Sequence, residues 1–154
     1  LFAAQLLNML IRIFKAGVST ERVELHEREG QNLIFKFLKT KNKAFREIQA
    51  YKKLIFCPFV PKMIQSSIDD KLIITEYKGH SLNLRYSPKE RKQFKTRIQE
   101  MNHELIHTYG VHHNDIRWKN VVESDSGELF LIDFESWTSF AHGSRERDPE
   151  KILS

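Results

Sequence analysis

The stretch GVHHNDIRWKNVVESDSGELFLIDFESW, residues 110–137, decides how this chain is read. It holds two short acidic motifs, His113-Asn114-Asp115 and Asp133-Phe134-Glu135, each beside an apolar run. Asn120 falls five residues after Asp115 and thirteen before Asp133. That order suits phosphoryl transfer to a hydroxyl: one carboxylate orients the nucleophile, while an amide and a second carboxylate hold Mg²⁺ on nucleotide phosphates. Val121-Val122 and residues 129–132 flank a Ser124-Asp125-Ser126-Gly127 turn, so a hairpin is expected to bring the loop and Asp133 together.

Upstream, residues 18–38 read as a hairpin. Val23 and Leu25 alternate with charges, residues 29–32 form a turn, and residues 33–38 form an apolar strand interrupted by Lys36. Residues 44–56 carry Phe45, Ile48 and Ile55 at helical spacing and stop before Cys57-Pro58. Glu47 lies on that helix, eleven residues after Lys36, where it can orient the lysine towards phosphates. Residues 59–64 and 71–77 read as two more strands about an Asp69-Asp70 turn, and Glu76 ends the second, where backbone groups can meet an adenine edge. Ser87-Pro88-Lys89-Glu90 opens a helix with a cap, a proline in the first turn and an acid, running to about Tyr109 before the Gly110 stop. Its early turns are crowded with Lys89, Arg91, Lys92, Lys95 and Arg97, a solvated face that leaves nucleic acid open as a partner.

A length of 154 residues suits one domain with its own core, and an apolar fraction of 40% with eleven Phe argues against a disordered chain. A net charge of +5 favours anionic partners without choosing among nucleotides, nucleic acid and acidic protein faces. The lone Cys57 excludes an internal disulfide framework and fits a reducing, intracellular compartment, cytoplasm or nucleus. The apolar opening LFAAQLLNMLIRIF is interrupted by Gln5, Asn8 and Arg12 and is shorter than a bilayer span. It reads as a helix over residues 1–16, closed by Lys15-Ala16-Gly17, that packs on the core or on a second copy as a homodimer. The chain begins with Leu1 and not Met, so the natural amino terminus is expected upstream.

Taken together, these residues resemble the protein-kinase-like superfamily. Leu33-Ile34-Phe35-Lys36 looks like the strand-lysine motif and Glu47 like the C-helix glutamate. His113-Asn114-Asp115 through Asn120 looks like the catalytic loop, and Asp133-Phe134-Glu135 like the DFG motif. The resemblance implies an α+β, bilobal fold: a strand-rich N-lobe over residues 17–77, a connector over 78–86, and a reduced, mostly helical C-lobe over 87–154. It implies ATP and Mg²⁺ as cofactors. Lys36, Glu47, Glu76, Asn120 and Asp133 would bind them, with the metal on Asn120 and Asp133. Asp115 would orient the substrate hydroxyl and Arg117 would neutralise the γ-phosphate.

Three departures are visible. Residues 17–23 hold one glycine where a glycine-rich loop belongs, and Glu135 replaces the DFG glycine, as in choline and aminoglycoside kinases. After Asp133 the chain runs only to Ser154 without an Ala-Pro-Glu motif, similar to the small kinase of the KEOPS complex, with Asp148 as candidate anchor of the catalytic loop. The leading expectation is therefore an atypical serine/threonine protein kinase acting on a protein substrate, itself included. The alternatives are a small-molecule kinase and a nucleotide-binding interaction module without turnover. His112 and His113 lack further metal ligands at suitable spacing and read as structural, while Trp118 and Trp137 read as core aromatics or stacking platforms.

Overall fold

The computed structural model describes residues 9–14, 17–140 and 153. The chain is α+β, its sheets antiparallel, and it divides into two compact units. The first comprises Leu1–Ile48 and Lys62–Tyr77, the second Gln49–Pro61 and Lys78–Ser154. Among the described residues no helix is long and apolar enough to cross a membrane.

The first unit is built on a five-stranded sheet. Its strands are β1 (Met9–Phe14), β2 (Thr20–Arg28), β3 (Gln31–Leu38), β4 (Met63–Ser67) and β5 (Leu72–Glu76), in the order β1-β2-β3-β5-β4. The β2–β3 hairpin closes through Glu29 and Gly30 at φ 51° and 75°. Two successive positive φ values give the turn whose twist matches paired strands, so the turn is shorter than the expected residues 29–32, and Gln31 and Asn32 join the ladder. Alternation along β3 puts Leu33, Phe35 and Phe37 on one face, where Leu33, Phe35 and Ile74 are buried with Phe37 and Leu72 against them. Each fully buried side chain of this kind contributes about 1.5–3 kcal/mol. His26 stacks on Phe35 at 4.1 Å, and the Arg22 guanidinium lies 3.9 Å from the Phe37 ring centroid.

The segment expected as a helix over residues 1–16 is a strand where it is described. Met9–Phe14 pairs antiparallel with β2, from Met9 opposite Glu27 to Phe14 opposite Val23. A short apolar run fits the helical and the strand period equally well, and tertiary pairing decides: β2 offers an open edge, and the β-branched Ile11 and Ile13 favour the strand. A homodimer through an N-terminal helix therefore has no helix at these positions, and the remainder of that expectation lies outside the described residues. The strand expected over residues 59–64 is also displaced, because Pro58 and Pro61 lack ladder donors and β4 begins only at Met63. Helix α1 (Lys41–Lys53) starts earlier than expected, since the Thr40 hydroxyl accepts the Lys43 N–H at 3.2 Å and caps it.

In the second unit, β6 (His80–Ser81), β7 (Val121–Glu123) and β8 (Leu129–Leu131) form a small sheet in that order. Gly79 leads into it at φ 140°, and a Cβ there would overlap the Glu123 carbonyl oxygen, so only glycine fits. After the single turn α2 (Leu82–Arg85) comes α3 (Pro88–Arg91), capped reciprocally by Ser87 and Glu90. A 3-10 turn over Lys92–Phe94 separates it from α4 (Lys95–Tyr109), so the expected single helix is interrupted. At the break Gln93 donates its side-chain amide to the Glu90 carbonyl at 3.0 Å, an acceptor the helix ladder would otherwise use. Gly110 ends α4 at φ 64°, with its own N–H and that of Val111 returning to Ile106 and Leu105. Ile98, Met101 and Leu105 of α4 are fully buried, as are Leu82, Val111, Val121, Leu131 and Phe134 of the same unit.

Candidate functional site

In the first unit, β3 and α1 bring Lys36 and Glu47 together. Lys36 stands between Val23 of β2 and Ile73 of β5 in the sheet register. Both Glu47 carboxylate oxygens lie 2.9 Å from its Nζ. Glu47 has no exposure to water, and the Lys36 side chain has 12%. A carboxylate so buried needs its cation: removing one partner of such a pair typically costs about 3–5 kcal/mol. The consequence for chemistry is a lysine whose position is fixed before any anion arrives. Glu76 closes β5, where its N–H donates to the Lys62 carbonyl at 3.0 Å. Any purine contact by its backbone therefore falls to its carbonyl.

In the second unit, the loop after Gly110 and the segment after β8 form one hydrogen-bonded assembly. His112 and Thr138 exchange backbone hydrogen bonds, 2.9 Å from the His112 N–H and 3.0 Å from the Thr138 N–H. The His113 ring, 1% exposed, accepts the Asp115 N–H at Nδ1, 3.2 Å, and donates from Nε2 to the Ile132 carbonyl, 2.9 Å. That pattern requires the neutral ring protonated on Nε2. The ring packs 4.7 Å from the fully buried Phe134, which also meets Tyr51 edge-on at 5.7 Å. The His113 ring thus has a structural duty, whereas His112 ties the loop down through its backbone alone.

Asn120 is the hub. Its Nδ2 donates to the Asp115 carbonyl at 2.8 Å and to Asp115 Oδ2 at 3.2 Å, while its own carbonyl accepts the Ile132 N–H at 3.0 Å. Asp115 is oriented by that amide, and Asp133 follows directly on the residue pinned to it. Arg117 turns back onto Asp115, its Nε 2.5 Å from Oδ1, so the expected γ-phosphate cation is engaged with the expected base. Asn114 and Asp133 both adopt φ 65°. Asparagine and aspartate are the two residues besides glycine that visit this left-handed region most readily, so both positions suit their residue types.

For a metal, the chemistry of the donors is the test. Asn120 commits its NH₂ to Asp115, which leaves its Oδ1 as the side-chain atom with acceptor capacity. Asn120 Oδ1 and the Asp133 carboxylate are both oxygen donors, the type that a hard cation keeping several waters would take. Among the described residues no group of three or more His, Cys, Asp and Glu is placed to hold a metal ion, so an all-protein cage is not what these residues form.

Two contributions escaped the sequence reading. Asn114 donates to the Ser136 carbonyl at 3.0 Å and to the Thr138 hydroxyl at 2.8 Å, tying the loop to the segment beyond Glu135. Glu123 accepts the Tyr86 hydroxyl at 2.7 Å, a bond that holds the phenol above its ordinary range, and it also pairs with Arg85 at 3.2 Å. The glycine at 79, beside the Glu123 backbone, was the available signal for the second. Gly17, in the place of a phosphate loop, has open space about it, so nothing there requires a glycine. Asp148 lies outside the described residues. No protein-family model matches this chain, and no curated protein matches it either.

Proposed function

We propose that this chain is an ATP- and Mg²⁺-dependent phosphotransferase with a protein-kinase-like bilobal fold, acting on serine or threonine hydroxyls of protein, itself included. The observation that carries the reading is the Asn120 hub: one amide orients the Asp115 carboxylate while the same residue's backbone secures the segment leading into Asp133. The buried Lys36–Glu47 pair adds a fixed cation of the kind that receives nucleotide phosphates.

In this reading Asp115 Oδ2 accepts the proton of the acceptor hydroxyl or aligns it for in-line attack. Asn120 Oδ1 and the Asp133 carboxylate would hold Mg²⁺, which would supply charge neutralisation on the transferred phosphoryl group. Lys36 binds the α- and β-phosphates, and Glu47 keeps its ammonium there. Arg117 pairs with Asp115 in the chain as it stands and would be the cation nearest that carboxylate to neutralise a γ-phosphate. ATP as co-substrate agrees with the intracellular setting suggested by the lone thiol.

Transfer of labelled γ-phosphate from ATP to the chain and to a generic acceptor protein tests this. Asp115→Ala and Asp133→Ala should each abolish the signal. Transfer to choline, ethanolamine or an aminoglycoside, with none to protein, would replace the proposed substrate class. Absence of all transfer would remove the enzymatic reading.

A further inference from the structure

Helix α4 carries an arrangement that phosphoryl transfer leaves unused. Residues 103–107 read His-Glu-Leu-Ile-His. Two histidines four apart stack on one helix face, and this five-residue pattern is one that holds zinc on helices. Here both are exposed, with ring centroids 4.1 Å apart and an interplanar angle of 37°. The extended stretch HELIHTYGVHH, residues 103–113, also fits the longer zinc-protease pattern, whose third ligand would be His113. That ligand is spent. His113 is buried, and its two ring nitrogens engage Asp115 and Ile132. A three-histidine catalytic centre is therefore not assembled, and a pair of exposed histidines one helical turn apart remains.

We propose that His103 and His107 form a binding site for one late first-row divalent cation, with water completing its coordination. Imidazole donors select Cu²⁺, Ni²⁺ and Zn²⁺ over Mg²⁺ and Ca²⁺, so the site is chemically distinct from the oxygen pair at Asn120 and Asp133. His107 lies in the last turn of α4, where the helix dipole favours a cation. Glu100 and Glu104 share this face at helical spacing and add negative potential, whereas Lys89, Arg91, Lys92, Lys95 and Arg97 lie in the earlier turns. Neither glutamate is counted as a ligand: Glu100 is within 3.6 Å of Arg97, and the charge of Glu104 adds to the burial that chiefly raises the Cys57 thiol and the Tyr109 phenol.

The test is calorimetric titration of the untagged full chain with Ni²⁺ and Zn²⁺, and electron paramagnetic resonance with Cu²⁺. The expected result is one ion per chain, Cu²⁺ the tightest, with hyperfine structure from two imidazole nitrogens. His103→Ala and His107→Ala should each weaken binding about tenfold or more, because the chelate becomes a single ligand. The double change Asn102→His with His103→Asn keeps the number of histidines but spaces the pair five apart, and should fail equally. Unchanged Ni²⁺ affinity in the single variants, or full affinity in the respaced one, would overturn the assignment. Far-ultraviolet dichroism of each variant, matching the parent, excludes loss of the helix as the cause.

Discussion

Glu47 is a carboxylate with no water contact, both of its oxygens 2.9 Å from the Lys36 ammonium. Lys36→Met should lower stability by about 3–5 kcal/mol, and the double change Lys36→Met with Glu47→Leu should recover most of that loss, because the charge left unpaired carries the cost. Urea unfolding of the two variants measures the difference; equal destabilisation by both would show that packing, not charge, dominates there. Cys57 behaves differently. Burial pushes its thiol up to about 11 from an ordinary 9.0. A group that stays protonated longer when folded stabilises the fold fully below its unfolded value. That contribution fades as pH rises from about 9 towards 11, by roughly 2–3 kcal/mol in all. Unfolding followed between pH 8 and 11 should show this decline, and Cys57→Ala should make it shallower, most clearly between pH 9 and 10, below the titration of the raised Tyr86 and Tyr109 phenols. A thiol reagent should label the folded chain slowly at pH 8 and the unfolded chain fast.

At the level of elements, Gly79 and β1 make opposite demands. Gly79→Ala places a methyl group against the Glu123 carbonyl at a φ that side chains avoid, and should cost at least about 1–3 kcal/mol in thermal or urea unfolding. β1 is an edge strand with Met9, Leu10, Ile11 and Ile13 all about half exposed or more. Such an edge invites pairing, so Ile11→Lys should reduce concentration-dependent association seen by light scattering, with little change in Tm. What the sequence made legible here follows local chemistry. The Ser87–Glu90 cap, the Gly110 stop and the Glu29-Gly30 turn are written in neighbouring residues and appear within a residue or two of their expected places. Met9–Phe14 is a strand where a helix is expected because six apolar-rich residues carry no decisive period of their own, and the neighbour β2 chooses for them. The break at Lys92–Phe94 goes with a Gln93 side chain folded back on a carbonyl, which spacing does not reveal.

For the whole molecule, the candidate site was legible as residue types and order, and hidden as geometry. Spacing along the chain singled out Lys36, Glu47, Asp115, Asn120 and Asp133. That Lys36 meets Glu47, and that Asn120 meets Asp115, required the fold. Left-handed backbone at Asn114 and Asp133, and the turn of Arg117 onto Asp115, are set by partners distant in sequence or by the loop's own closure. The net charge of +5 agrees with an anionic co-substrate but does not identify one. The most direct measurement is transfer of labelled γ-phosphate from ATP in the presence of Mg²⁺, comparing the parent chain with Asp115→Asn, a change of nearly equal shape that removes the carboxylate. The account expects measurable transfer by the parent and a loss of about 10²–10⁴-fold in the variant, with folding unchanged. Equal transfer by both proteins, or none by either under any acceptor, would contradict it.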